Sequence, residues 1–84
     1  MYLYDMANHH LPTYAIIELL IRLARYNHLI GDYKNHSVFD TGVMVKTSGG
    51  SISLPKGIII QQFENPASIS DNELAQTALL FRRG

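Results

Sequence analysis

Cysteine is absent from this sequence of 84 residues, and only 17% of its residues are charged. Without cysteine the chain has no disulfide, no thiolate nucleophile and no cysteine-ligated zinc. Because small secreted domains often depend on disulfides, the absence favours a reducing, cytoplasmic location. The first residues show no basic segment followed by an apolar one, so we expect no secretory signal.

Neither sign of charge is in excess, because seven basic residues balance seven acidic ones. Proteins that bind nucleic acid usually carry a net positive charge, since neutralising phosphates supplies much of their affinity. The balance therefore disfavours nucleic acid as a partner, and it also disfavours anionic membrane surfaces.

A membrane-spanning segment is missing as well. The longest apolar run covers residues 13–26 and is interrupted by Glu18, Arg22 and Arg25. A spanning helix needs about 20 predominantly apolar residues. We therefore expect a soluble chain with no membrane partner.

Hydrophobic residues make up 46% of the chain, which is a large share for its length. A chain of this size forms one small domain, residues 1–84, and small domains bury a limited fraction of their surface. The apolar surplus must face something, and a second copy of the chain is the commonest solution. The composition therefore predicts a homo-oligomer, most simply a homodimer.

The stretch from residue 13 to residue 26 has the pattern of a helix that is apolar on two flanks. One flank carries Tyr14, Ile17, Ile21 and Ala24. The other carries Ile16, Leu19, Leu20, Leu23 and Tyr26. Between them Glu18, Arg22 and Arg25 form a narrow polar stripe, in which Glu18 and Arg22 have the spacing of an ion pair. We expect a central helix over about 13–30, shared between its own sheet and either the last helix or another chain.

The remaining elements follow after a polar connection over residues 32–37 and a strand that opens at residue 38. Residues 43–54 alternate around two glycines, which predicts a hairpin. Residues 58–63 contain three successive isoleucines and are interpreted as a strand covered on both faces. Ser70 and Glu73 form a capping box that begins a helix over about 71–83. The fold class is therefore α+β: a central N-terminal helix packed on a small antiparallel sheet and closed by a C-terminal helix.

Residue types that carry chemistry occur without the spacing that chemistry needs. His9 and His10 are adjacent, and His28 and His36 are eight residues apart, so no pair has the i,i+4 spacing of a helical metal site. No Gly-x-Ser-x-Gly motif is present. The glycines at 49 and 50 are followed by no Lys-Ser/Thr, which favours a hairpin turn over a phosphate-binding loop. We expect no metal, no cofactor and no enzymatic activity.

A strand, a glycine turn, a second strand and a Leu-Pro-Lys sequence follow one another over residues 45–58. This order resembles the core of the AbrB/MazE-type swapped-hairpin DNA-binding domains. The resemblance implies a dimer that contacts duplex DNA through Lys46 and Lys56. The sequence departs from the family pattern in two ways: the hairpin lies far from the N-terminus, and three isoleucines stand where the family has a short polar helix.

The function that these observations favour is a non-enzymatic interaction module, such as a small regulator, inhibitor or accessory subunit of a protein partner. Exposed aromatic residues are enriched in interface hot spots, which makes Tyr2, Tyr4 and Tyr33 the candidate partner-binding residues. The alternative is a dimeric DNA-binding transcriptional regulator or antitoxin that uses the hairpin at 43–58, with Lys46 and Lys56 as its contacts.

Overall fold

The computed structural model describes residues 11–83 as a four-stranded antiparallel sheet with helices. The helices are α1 (Thr13–Ala24), the single-turn α2 (Asn27–Ile30), α3 (Lys56–Glu64) and α4 (Asp71–Leu80). The strands are β1 (Tyr33–Phe39), β2 (Gly42–Thr47), β3 (Gly50–Pro55) and β4 (Arg82–Arg83). The predicted α+β class is confirmed.

The sheet has the order β1-β2-β3-β4 and is buried on one face only. On that face Val43, Val45, Ile52 and Leu54 are at most 3% exposed. They form one core with buried side chains of the helices. These are Ile16, Leu19 and Leu23 of α1, Ile59 of α3, and Leu74 and Ala78 of α4. On the other face Met44, Lys46, Ser51 and Ser53 are partly or fully exposed, so the helices form a single layer over the sheet.

The predicted hairpin at 43–54 is confirmed, since β2 and β3 pair over six residue positions. Thr47 pairs with Gly50, which leaves Ser48 and Gly49 as the two-residue loop. The Thr47 hydroxyl lies 2.7 Å from the Ile30 carbonyl oxygen and 3.0 Å from the Gly49 amide. The turn is therefore attached to the end of α2 as well as to its own strands.

The first helix is shorter than predicted. α1 ends at Ala24, and the chain leaves the helical conformation at Tyr26 before α2 resumes at Asn27. α2 ends at Ile30 and is followed by Gly31, whose φ of +96° is a conformation that favours glycine. The predicted end near residue 30 therefore holds, but the interval 13–30 contains two helices.

The prediction of a strand at residues 58–63 is wrong, because these residues belong to helix α3. Isoleucine favours strands, and a local preference of this kind is overridden when burial favours another conformation. Pro55 ends β3 in an extended conformation, and the helix begins at the next residue. In the helix, Ile59 and Gln62 lie three positions apart and are both buried, facing α1 and the sheet.

The first strand is longer than predicted and replaces most of the expected polar connection. β1 pairs with β2 from Phe39 opposite Gly42 to Tyr33 opposite Thr47, with a bulge between Tyr33 and Asn35. Its residues are exposed except for half-buried His36. The strand is held by backbone pairing with β2, which a polar sequence does not disclose.

The last helix begins as predicted and ends three residues early. Ser70 accepts a hydrogen bond from the Glu73 amide at 3.1 Å, and Glu73 accepts one from the Ser70 amide at 3.0 Å. The capping box is therefore confirmed. α4 ends at Leu80, and the two arginines that follow pair with Ser51 and Ile52 as β4 instead of continuing the helix.

Candidate interaction site

An open apolar groove runs between the start of α1 and strand β1. Its volume is about 490 Å³. The residues that form its walls come from both elements and from the segment before α1. They are Leu11, Thr13, Ile16, Ile17, His36, Val38, Phe39 and Asp40. We call this feature the α1–β1 groove.

The groove lies where the helical layer stops short of the edge of the sheet. Val38 pairs with Val43, so the two side chains lie on the same face of the sheet. Val43 is 3% exposed, whereas Val38 is 51% exposed. The same boundary crosses α1, where Ile16 is 4% exposed and Ile17 is 47% exposed. The core-side face of β1 is therefore left uncovered by the described helices.

The outward flank of α1 continues this uncovered surface. Tyr14, Ile17, Ile21 and Ala24 are all exposed. The sequence predicted that one of the two apolar flanks faces a second surface, either the last helix or another chain. Within residues 11–83, α4 packs on the opposite flank and does not cover them. The last helix therefore does not cover these four side chains.

Of the three predicted partner-binding tyrosines, only Tyr33 lies within the described residues. Tyr33 lies at the start of β1 and is 48% exposed, with its hydroxyl 2.8 Å from His36 Nδ1. Tyr33 therefore contacts His36, a residue that lines the α1–β1 groove. Tyr2 and Tyr4 lie outside the described residues. Ile17 was recognised in the sequence as part of an apolar flank, and a strand was expected to open at Val38. The sequence did not disclose that Val38 lies beside Val43 and is left 51% exposed.

A second, smaller hollow lies on the other side of α1, against α3. Its volume is about 250 Å³, and it lies between exposed Tyr14 and Phe63, with Glu18 beside them. A hydrogen bond to the Glu18 carboxylate raises the pKa of the Tyr14 phenol.

Arg22 joins α1 to α3 and to the start of α4. Its Nε donates to Asp71 Oδ1 at 2.8 Å, and its Nη1 donates to Gln62 Oε1 at 2.6 Å. The guanidinium also donates to the carbonyl oxygens of Pro66 and Ile69. Its side chain is 13% exposed. Arg22 therefore has a structural role. The sequence had predicted a surface ion pair between Arg22 and Glu18 instead.

Asp71 receives a second arginine on its other oxygen. Arg25 Nη1 donates to Asp71 Oδ2 at 3.1 Å from a largely exposed position. The hydrogen bond from Arg22 lowers the pKa of the Asp71 carboxyl, with a smaller contribution from Arg25. A carboxylate at the first position of α4 also faces the positive end of the helix dipole. The cluster stabilises the fold and leaves Asp71 charged.

The two lysines assigned to DNA contact are well separated. Lys46 is exposed on β2, four residues from Gly42. Gly42 pairs with Pro55, the residue before Lys56. Four residues of strand span about 13 Å. A helix does begin at Lys56, where the resemblance implies a helix, but its isoleucines pack into or against the core.

No site for a metal ion is present in the described part of the chain, where no group of three or more His, Asp or Glu side chains converges. His28 stacks on Tyr26, and His36 lies beside Tyr33. His9 and His10 lie outside the described residues.

Comparisons of the chain with protein-family models, with curated proteins and with solved structures found no match. Among residues 11–83 no helix has the length and hydrophobicity needed to cross a membrane.

Proposed function

We propose that this protein is a non-enzymatic interaction module that binds another polypeptide in the α1–β1 groove. The observation that carries the proposal is the uncovered core-side face of β1, where Val38 is 51% exposed beside a valine that is 3% exposed. Exposed apolar surface next to polar residues is typical of protein-binding sites. A module of this kind acts as a regulator, an inhibitor or an accessory subunit of the protein that it binds.

The shape of the groove favours a polypeptide over a small ligand. One wall is a seven-residue edge strand, whose outer backbone groups have no strand partner among residues 11–83. An added strand can pair with these groups while its side chains fill the groove, which is a common mode of peptide recognition. The other wall, Ile17 with Ile21 beyond it, supplies apolar contact.

The positions of Lys46 and Lys56 favour DNA binding less than the groove favours a protein partner. Lys46 and Lys56 are about 13 Å apart along the strand direction. The residues of the outward hairpin face between them, Met44, Ser51 and Ser53, are half-buried and uncharged. A DNA-binding face needs clustered cations, because neutralisation of phosphates dominates affinity. The groove supplies apolar contact, which suits a protein partner better.

Site-specific photo-crosslinking in native host cells tests the proposal. A benzophenone amino acid replaces Ile17 in the full chain, and a matched variant carries it at Gln76, an exposed position on α4. We expect a covalent polypeptide adduct from position 17 that exceeds the adduct from position 76 at least several-fold. The adduct should fall when Val38→Asp places a charge in the groove.

Circular dichroism of each variant shows whether it has kept the fold. The proposal is wrong if position 17 yields no more polypeptide adduct than position 76. It is also wrong if Val38→Asp leaves the adduct from position 17 unchanged in a folded chain.

A further inference from the structure

We infer that a second copy of this chain occupies the α1–β1 groove, with the β1 strands of the two copies paired antiparallel about a twofold axis near Ser37. This inference rests on the proposed function, because it names the partner of the same groove. The pairing joins two four-stranded sheets into one continuous sheet and places the α1 helices of the two copies side by side.

The first support is the character of β1 as an edge strand. The opposite edge of the sheet is β4, which has only two residues, whereas β1 has seven. Long edge strands are usually protected from pairing by charges, proline or bulges. In β1 the one charge and the one bulge are both at its beginning, at residues 33–35. Residues 35–39 are regular, uncharged and free of proline, so this stretch is open to a further strand.

The second support is the way in which the core ends at this edge. Twofold symmetry presents the same surface from both copies, so an incomplete core can be closed by its own equivalent. With Ser37 on the axis, His36 of one copy lies opposite Val38 of the other. Both residues line the groove, and both lie on the core-side face of the sheet. The uncovered apolar faces therefore meet each other.

The third support is charge. Lys34 precedes the open stretch of β1 and Asp40 follows it. Antiparallel pairing brings the lysine end of one strand to the aspartate end of the other, twice in each dimer, and opposite charges across strands are favourable. Parallel pairing would place like charges together. The other nearby acid, Asp32, is turned toward α2, where its Oδ1 accepts from Asn27 Nδ2 at 3.0 Å.

Cysteine crosslinking tests this arrangement directly, because the chain has no cysteine of its own. On the axis of an antiparallel pair, the two copies of residue 37 come within about 5.5 Å, which a disulfide can bridge. We expect purified Ser37→Cys protein to form a covalent dimer under copper phenanthroline. Reduction should return the monomer.

Asn35→Cys is the matched control, since it lies on the same strand and the same face. In the proposed register the two copies of residue 35 are about 14 Å apart along the strand, too far for a disulfide. We expect crosslinking at least tenfold slower than at residue 37. Equal rates at the two positions, or no crosslink at either, would overturn the inference.

Sedimentation equilibrium of the unmodified chain completes the test. We expect twice the chain mass of 9.5 kDa at high micromolar concentration. A monomeric mass would overturn the inference. Occupation of the groove by residues 1–10 of the same chain would give this result. If the cellular adduct from position 17 contains a different protein and the purified chain is a monomer, the second copy is ruled out while the proposed function stands.

Discussion

Replacement of Arg22 by alanine should be among the most destabilising single changes in this chain. The guanidinium donates to Asp71, to Gln62 and to two backbone carbonyls, and it thereby joins α1 to α3 and to the start of α4. A hydrogen bond from a charged donor contributes about 1.5 to 3 kcal/mol, and a buried acceptor left without a donor costs about 1 to 3 kcal/mol. Gln62 is 7% exposed, so water replaces its lost donor poorly.

Some of the loss is recovered, because the Pro66 carbonyl lies in an exposed segment and can be hydrated. We therefore expect Arg22→Ala to lower the free energy of unfolding by about 3 kcal/mol. For a domain of this size this corresponds to a fall in Tm of roughly 12 to 24 °C. Arg22→Lys should fall between the wild type and the alanine variant, because a single ammonium group cannot reach all four acceptors.

Urea unfolding followed by circular dichroism measures the effect, at one fixed chain concentration for all variants. Arg25→Ala is the matched control, since Arg25 lies on the same helix and contacts the same carboxylate. Its side chain is 61% exposed, and exposed ion pairs contribute little. If Arg22→Ala lost no more stability than Arg25→Ala, the argument that burial makes Arg22 important would be refuted.

Four further changes have expected outcomes that thermal unfolding can check. Ser70→Ala removes the cap of α4 and should cost about 1 kcal/mol, whereas Gln76→Ala on the exposed face of α4 should cost nothing measurable; equal effects would contradict the role of the cap. Gly57→Ala adds a methyl group in open space within α3 and should stabilise by about 0.5 to 1 kcal/mol. Gly31→Ala should destabilise, because φ is +96° and the added Cβ would collide with the backbone nitrogen of Gly49. If the two glycine substitutions changed the stability in the same direction, this reasoning would be refuted. Asp71→Asn should be less stable than the wild type near neutral pH, where the Asp71 carboxylate is charged and accepts from both arginines. Because the fold lowers the pKa of Asp71, the difference in stability should shrink as pH falls below 3.8, the ordinary pKa of the group. A difference in stability that does not depend on pH would contradict this reasoning.

The elements that the sequence predicted well are those whose signals are local. The capping box at Ser70 and Glu73 depends on two side chains three residues apart, and it begins α4 where predicted. The hairpin depends on alternation around a glycine turn, and its pairing is confirmed. The buried stripe of α1 follows from helical spacing alone. In each case the interacting residues are near neighbours in the sequence.

The elements that were missed depend on contacts between distant residues. Residues 58–63 have a strand-like composition, and their helical conformation follows from the packing of Ile59 and Gln62 against α1 and the sheet. β1 has a polar sequence because its outer face meets water and its core-side face is uncovered. A strand was expected to open at Val38, but its extension back to Tyr33 and its position at the edge of the sheet depend on pairing with β2. The groove could therefore not be located from the sequence, although an apolar surplus was evident. The same limit applies to Arg22, whose acceptors lie 40 to 49 residues away.

The two walls of the α1–β1 groove are both needed for an interface between copies of the chain. Full burial of a branched aliphatic side chain contributes about 1.5 to 3 kcal/mol. Ile17, Ile21 and Val38 are each about half exposed, so burial of the remaining half contributes about 1 kcal/mol per side chain. Three such side chains from each of two copies contribute roughly 6 kcal/mol. Association costs about 4 to 15 kcal/mol in lost freedom of motion. The apolar contacts alone therefore barely offset the cost, and pairing of the β1 backbones must supply the remainder. A partner that touched only the outward flank of α1 would bind weakly, so the proposed interface depends on the edge strand.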